Sequence, residues 1–288
     1  MIPREFEYHA PTTVADAIGL LHQLGEDAKL IAGGHSLLPM MKLRFAQPSH
    51  LVDLGRVPEL KGIREEGGTI RIGAMTTEAE LINSPLLQAK CPLLVEGAKL
   101  IADPQVRYKG TVGGDIAHGD PGNDHPALMI ALRAAFVLRS AAGERVVPAE
   151  SFFHGTYDTE LRAAEILTEI RIPVPAIGTG ACYAKLKRKV GDFATAAAAV
   201  TLRMQGNKVQ EAAIALTNVG ATPLKARAAE DSLRGKALDD AAIAEAARLA
   251  MAICDPVQDQ RGDAEYKTAM AGEMTRRAIR TAAARATN

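Results

Sequence analysis

Two glycine pairs carry the most legible chemistry of this 288-residue chain, one in Ala32-Gly33-Gly34-His35-Ser36 and one in Thr111-Val112-Gly113-Gly114-Asp115. A glycine has no Cβ to hold a neighbour away, so paired glycines let backbone N–H groups approach a ligand closely, and such donors suit an anionic phosphate. Either pair alone is as well explained by a turn. Two of similar grammar suggest convergence. A diphosphate needs many donors at once, and two loops meeting on it would supply them without burying a cationic side chain. Ser36 and Thr111 place small hydroxyls beside these N–H groups, where phosphate contact and helix N-capping are both open roles.

The other reactive side chains read more quietly. His118 and His125 cluster with Asp115, Asp120 and Asp124 in one short segment. They alternate with Gly and Pro instead of repeating at i, i+4, so no metal is expected, and a carboxylate bonded to a sugar-like hydroxyl is the better reading. His35 could serve as a base or a covalent attachment point, but with no Ser or Cys partner it reads as polar lining. The basic run Lys185, Lys187, Arg188 and Lys189 is either a guarded strand edge or a face toward a negative cofactor. Neither glycine pair has Gly-x-Gly-x-x-Gly spacing or a following Gly-Lys-Ser/Thr, which disfavours Rossmann and Walker-type nucleotide sites.

Composition narrows the classes. Lys plus Arg and Asp plus Glu number 34 each, and Trp is absent. There is then no overall field and little stacking surface for nucleic acid, which is not an expected partner. Cys91, Cys182 and Cys254 lie far apart, so the chain is not expected to hold an iron–sulfur cluster or structural zinc, and isolated thiols suit a reducing cytosol. Met1-Ile2-Pro3-Arg4-Glu5 has no basic segment followed by an apolar one, so no secretory signal is expected. The apolar stretch Ala127 to Leu138 contains Arg133 and is too short to span a bilayer.

The positioning elements follow from periodicity and caps. Thr12 or Thr13 caps a helix running from Val14 and stopped at Gly25. Lys29–Ala32 is a strand, and Leu37 to Phe45 a helix after the first glycine pair. Strands follow at 51–54 and 69–73, helices at 77–82 and 91–101, then a loop from Ala102 to Gly110. A helix over 126–135 leads to a hairpin of 136–140 with 145–148, and then a strand at 166–172. Pro173-Val174-Pro175, with Gly178 and Gly180, is the linker candidate, giving domains 1–177 and 178–288. Beyond it, strands at 182–188, 196–204 and 209–218 precede surface helices at 239–253 and 263–284. Strands followed by segregated helices mean α+β.

These motifs resemble a known family, the FAD-binding medium subunits of molybdenum hydroxylases, to which the flavin domain of xanthine dehydrogenase also belongs. Within it the chain is similar to the medium subunits of aerobic carbon monoxide dehydrogenases. The resemblance runs from Pro3-x-x-Phe6-x-Tyr8-x-x-Pro11 through Ala32-Gly33-Gly34-x-Ser36-Leu37-Leu38-Pro39-x-Met41-Lys42 to Gly110-Thr111-Val112-Gly113-Gly114-Asp115-Ile116 and Pro121-x-x-Asp124. It implies a two-subdomain α+β fold of the vanillyl-alcohol oxidase type, followed by a smaller C-terminal domain of antiparallel sheet plus helices. It further implies non-covalent FAD touched by Ala32, Gly33, Gly34, His35, Ser36, Thr111, Val112, Gly113, Gly114 and Asp115. Asp124 would contact the flavin chain, and Leu167 and Lys187 match cofactor-lining positions. The implied setting is a dimer of heterotrimers with an iron–sulfur small subunit and a molybdenum-containing large subunit, where substrate is oxidised. The implied role is electron transfer from [2Fe–2S] centres to an external acceptor such as a quinone, with no catalytic residue on this chain. The place would be cytoplasmic, with access to the inner membrane face through the complex. A self-contained flavin oxidase or reductase of the same fold, or a non-enzymatic phosphate-binding module, are the alternatives.

Overall fold

The computed structural model describes residues 2–286, and Met1, Thr287 and Asn288 lie outside the described residues. Its first unit is a three-stranded parallel sheet with His50–Asp53 between Glu7–His9 and Ala28–Ile31. The helix Val14–Leu24 packs on it. Thr13 caps that helix by accepting from the Asp16 N–H, and Gly25, at φ +61°, ends it. Val14, Ala17 and Ile18 recur at helical spacing and bury against Val52 and Leu54.

The second unit is a five-stranded antiparallel sheet, ordered Ile63–Glu66, Thr69–Gly73, Ile166–Pro173, Ala135–Ser140, Gly143–Pro148. The chain returns to its middle only after the hairpin, so the late strand Ile166–Pro173 ties the unit together. Short helices cover one face, led by Glu78–Asn83, whose start is fixed by a reciprocal cap between Thr77 and Glu80.

The third unit is an antiparallel sheet of Thr179–Leu186, Ala196–Gln205, Lys208–Thr217 and Leu224–Lys225, backed by the helices Asp240–Met251 and Ala264–Ala286. Alanine is a poor strand former, yet Ala196 to Ala199 begin the second strand because both faces are covered at close range. Ala197 and Ala199 join the core of the second unit, while Ala196 and Ala198 face the third unit's own helices. The expected α+β fold with a C-terminal antiparallel sheet is what the structure has.

Three expectations need correction. The segment read as a loop from Ala102 to Gly110 contains the helix Pro104–Lys109. Asp103 caps it by accepting from the Gln105 and Val106 N–H groups, and Pro104 is preset for its first position. The second glycine pair does not form a loop. It lies in the first turn of the helix Val112–His118, with Thr111 as its cap. The tail helices are not merely surface: Ala264–Ala286 buries Ala271, Met274, Ala278, Ile279 and Ala282 against the sheet.

Candidate functional site

The two glycine segments touch. A Cβ added to Gly33 would stand 2.8 Å from Gly110 Cα and closer still to the Lys109 carbonyl oxygen; one added to Gly114 would meet Thr111 Oγ1 at 2.8 Å and the Ala32 methyl at 3.3 Å. At Gly33 glycine is required because backbone packs on backbone; at Gly114 the space is taken by the Thr111 hydroxyl and the Ala32 methyl. The convergence expected of the two segments is therefore present.

Their donors are not equivalent. In the second segment Val112 N–H donates to the Thr76 carbonyl, Gly113 N–H to the Ala74 carbonyl at 2.9 Å, Gly114 N–H to Thr111 Oγ1 at 3.2 Å, and Asp115 N–H to the Thr111 carbonyl. The expectation that Gly113 and Gly114 bring free N–H groups to a ligand is thus corrected, because helix capping and the neighbouring strand consume them. In the first segment, among the described residues, no acceptor meets the N–H of Gly33, Gly34, His35 or Ser36. Gly34 sits at φ +76°, in the left-handed region that glycine adopts without a Cβ penalty and from which backbone N–H nests are built. His35 and Ser36 are exposed. The free backbone donors are concentrated in this one run.

The hydroxyl question resolves along the same line. Thr111 spends its oxygen on capping. Ser36 opens the helix Leu37–Lys42 without a side-chain cap bond, so its hydroxyl is available. Among the described residues His35 likewise has no partner that could orient it as a base, in keeping with its reading as lining.

Behind the second segment lies a buried polar cluster. Asp115 Oδ2 is shut off from solvent with no hydrogen-bond partner. Burial pushes its carboxyl up to about 7; His125 opposes the shift, and Glu78, Asp124 and Asp120 reinforce it. His125 is fully buried and meets both Glu78 oxygens at 2.9 Å. Burial alone would lower its pKa, but the Glu78 carboxylate prevails and holds it up at about 9. His118 lies elsewhere, its ring 4.8 Å from that of Tyr157, so the five residues do not converge on one ion.

Asp124 takes part differently from expectation. Its oxygens accept from the Tyr183 hydroxyl and, at 2.7 Å, from Lys185 Nζ, whose side chain is 1% exposed. Both donors come from the first strand of the third unit, so Asp124 pins that sheet to the rest of the molecule. The reading of the basic run as a solvated edge fails at Lys185 for this reason. Lys187 is half-buried, donates to the Leu100 carbonyl at 3.2 Å, and has its pKa lowered by burial and by Lys185. Arg107 reaches the carbonyls of Ile101 and Ala102, completing a cationic edge there. Leu167 is a core side chain, 5% exposed, at a bulge whose next residue, Thr168, accepts from Ala74 N–H. A ligand could meet it only through backbone.

Sequence reasoning missed the Tyr183–Asp124–Lys185 bridge and the Glu78–His125 pair. Their members lie 47 to 61 residues apart, and no local spacing announces them. The one available signal was polar type in apolar surroundings, as at His125 within the buried helix Asp124–Ala131.

Comparison with known proteins decides the family. Residues 4–175 match the family described as FAD binding domain in molybdopterin dehydrogenase, and residues 181–282 match CO dehydrogenase flavoprotein C-terminal domain. The chain belongs to this flavoprotein family. Among its relatives, the carbon monoxide dehydrogenase medium chain of Hydrogenophaga pseudoflava is 62% identical over 99% of both chains. That of Afipia carboxidovorans is 56% identical over 100% of both. A solved carbon monoxide dehydrogenase from Hydrogenophaga pseudoflava, which lacks the Mo-pyranopterin moiety of the molybdenum cofactor, superposes with a TM-score of 0.98 at 63% identity and 99% coverage of each chain. The flavoprotein's FAD-binding domain therefore contains both glycine segments. The free donors fit a diphosphate, and the orphaned Asp115 oxygen fits a hydroxyl donor. Among the described residues, no helix is long and apolar enough to cross a membrane.

Proposed function

We propose that this flavoprotein is the FAD-holding medium subunit of an aerobic carbon monoxide dehydrogenase. Four unpaired N–H groups at Gly33–Ser36, folded over the second glycine segment, carry the reading. End-to-end similarity to carbon monoxide dehydrogenase medium chains supports the choice of enzyme. Gly33, Gly34, His35 and Ser36 would bond the diphosphate, Ser36 adding its hydroxyl. Ala32, Thr111, Val112, Gly113 and Gly114 would form the opposing wall and keep it rigid. Asp115 would take a hydroxyl, while Asp124, Leu167 and Lys187 would brace the far side, Lys187 with its charge facing inward. When bound, FAD supplies the exchange between one-electron and two-electron chemistry. The chain's own residues hold, orient and shield.

Electrons would enter from the [2Fe–2S] centres of a small subunit, fed by a molybdenum-containing large subunit, and leave to an external acceptor such as a quinone. The assembly would be a dimer of heterotrimers working in the cytoplasm, at the inner membrane face where a quinone is met. Three unpaired cysteines, all with pKa raised by burial, suit that compartment and offer no reactive thiolate. We further assign the cofactor-holding domain to 1–177 and the covering domain to 178–288, supported by a first matched span that ends at Pro175 and a second that begins at residue 181.

The test is carbon monoxide-dependent bleaching of the flavin absorbance in the purified complex, compared with the isolated chain. Bleaching in the complex alone supports the reading. Substrate turnover by the isolated chain would favour a self-contained oxidoreductase, and a complex without flavin absorbance would leave only a phosphate-binding module.

A further inference from the structure

Outside the glycine segments, the described residues contain one group of side chains whose metal-ligand atoms lie close enough to share an ion: Glu7, His9 and His50. Their meeting follows from register. Glu7 and His9 are two apart on one strand and so share a face, and Glu7 stands opposite His50 on the parallel neighbour. On the other flank His50 faces Ala28, whose methyl is too short to intrude.

His9 Nε2 and His50 Nδ1 are 3.2 Å apart, and Glu7 Oε2 lies 3.5 Å from the latter and 4.0 Å from the former. A tetrahedral zinc ion with bonds of about 2.0–2.1 Å sets its ligand atoms about 3.3 Å apart. The two imidazoles already have that separation. The Glu7 side chain is 74% exposed and free to close the remaining gap, whereas the rings are 25% and 20% exposed and held on the sheet. Two imidazoles and a carboxylate with an open position are a zinc donor set, and the nitrogen ligands disfavour Mg²⁺ and Ca²⁺.

We propose that Glu7, His9 and His50 bind a divalent transition ion of the zinc type, clasping the edge strand Glu7–His9 to its neighbour. That strand is held by three register pairs only, so a cross-strand ion would add to its attachment.

The experiment is calorimetric titration of Zn²⁺ into the full chain after chelator treatment, with Co²⁺ absorbance as a coordination probe. Expected are one ion per chain, tetrahedral Co²⁺ bands, and at least a tenfold loss of affinity in His9→Ala and in His50→Ala. Glu7→Gln should lose less, and Mg²⁺ should not compete. Zinc should raise the melting temperature of the wild type and not of the variants. If the folded double variant takes up zinc as the wild type does, the site is elsewhere and the proposal fails. If an alanine variant does not fold, His50→Gln replaces it and the wild-type Co²⁺ spectrum still decides. No tetrahedral band, or no zinc uptake by the wild type, reduces the pair to an imidazole–imidazole hydrogen bond.

Discussion

Gly33→Ala tests the donor concavity most directly. The added methyl would sit 2.8 Å from Gly110 Cα and nearer still to the Lys109 carbonyl oxygen. Both are backbone atoms, so neither can rotate aside. Restoring ordinary contact with Gly110 Cα alone, from 2.8 to 3.4 Å, parts the two segments by at least about 0.6 Å, and the nearer carbonyl oxygen asks for more. A charge-assisted N–H···O bond of about 2.8 Å carried that far reaches about 3.4 Å, the outer edge of hydrogen bonding. With each such bond contributing about 1.5–3 kcal/mol, weakening two of them costs about 2–4 kcal/mol, or about 30- to 700-fold in affinity. The same clash should destabilise the fold by about 1–3 kcal/mol. FAD affinity is read by fluorescence titration of deflavinated protein, with circular dichroism and thermal melting to establish folding. Gly19→Ala is the control: nothing lies within 4 Å of the added methyl, and the residue is inside the helix Val14–Leu24. It should leave FAD affinity alone and stabilise by up to about 1 kcal/mol. A folded Gly33→Ala protein that binds FAD within twofold of wild type would refute the reasoning.

Gly114→Val should also abolish FAD retention in a folded complex, because the side chain meets Thr111 Oγ1 and the Ala32 methyl and drives the segments apart; full occupancy by absorbance would sink that assignment. Asp124→Asn should destabilise by about 3–5 kcal/mol in urea unfolding, since it leaves the buried Lys185 ammonium without its partner; pairing it with Lys185→Met should recover part of the loss, and no recovery would argue against a direct pair. Stability should fall as pH rises from about 6.5 to 9, because the native state keeps the His125 proton that the unfolded chain releases. Asp115, with its pKa raised to about 7, adds a fall in the same direction from about 4 to 7. His125→Gln should flatten the upper window in denaturant titrations at several pH values, and an unchanged slope would exclude His125 as its source.

The local grammar of this chain was enough for much of the fold. Thr13 before an apolar repeat and Gly25 after it fix a helix by capping alone, and the alternation of residues 166–172 fixes a strand. The glycine pairs marked the convergence of the two segments, since a missing Cβ is a property of the residue itself. Sequence could not reveal which N–H groups remain free. Gly113 and Gly33 are alike in type, but Ala74, 39 residues before Gly113, supplies a carbonyl to one and none among the described residues supplies the other. Nor could it reveal that Asp124 pins two units together, because Tyr183 and Lys185 arrive from a strand placed by packing. Residue type and short-range order thus determined the elements and the two segments that converge. Donor availability and buried charge pairing were decided by tertiary structure, because a hydrogen bond or ion pair depends on which distant atom arrives first.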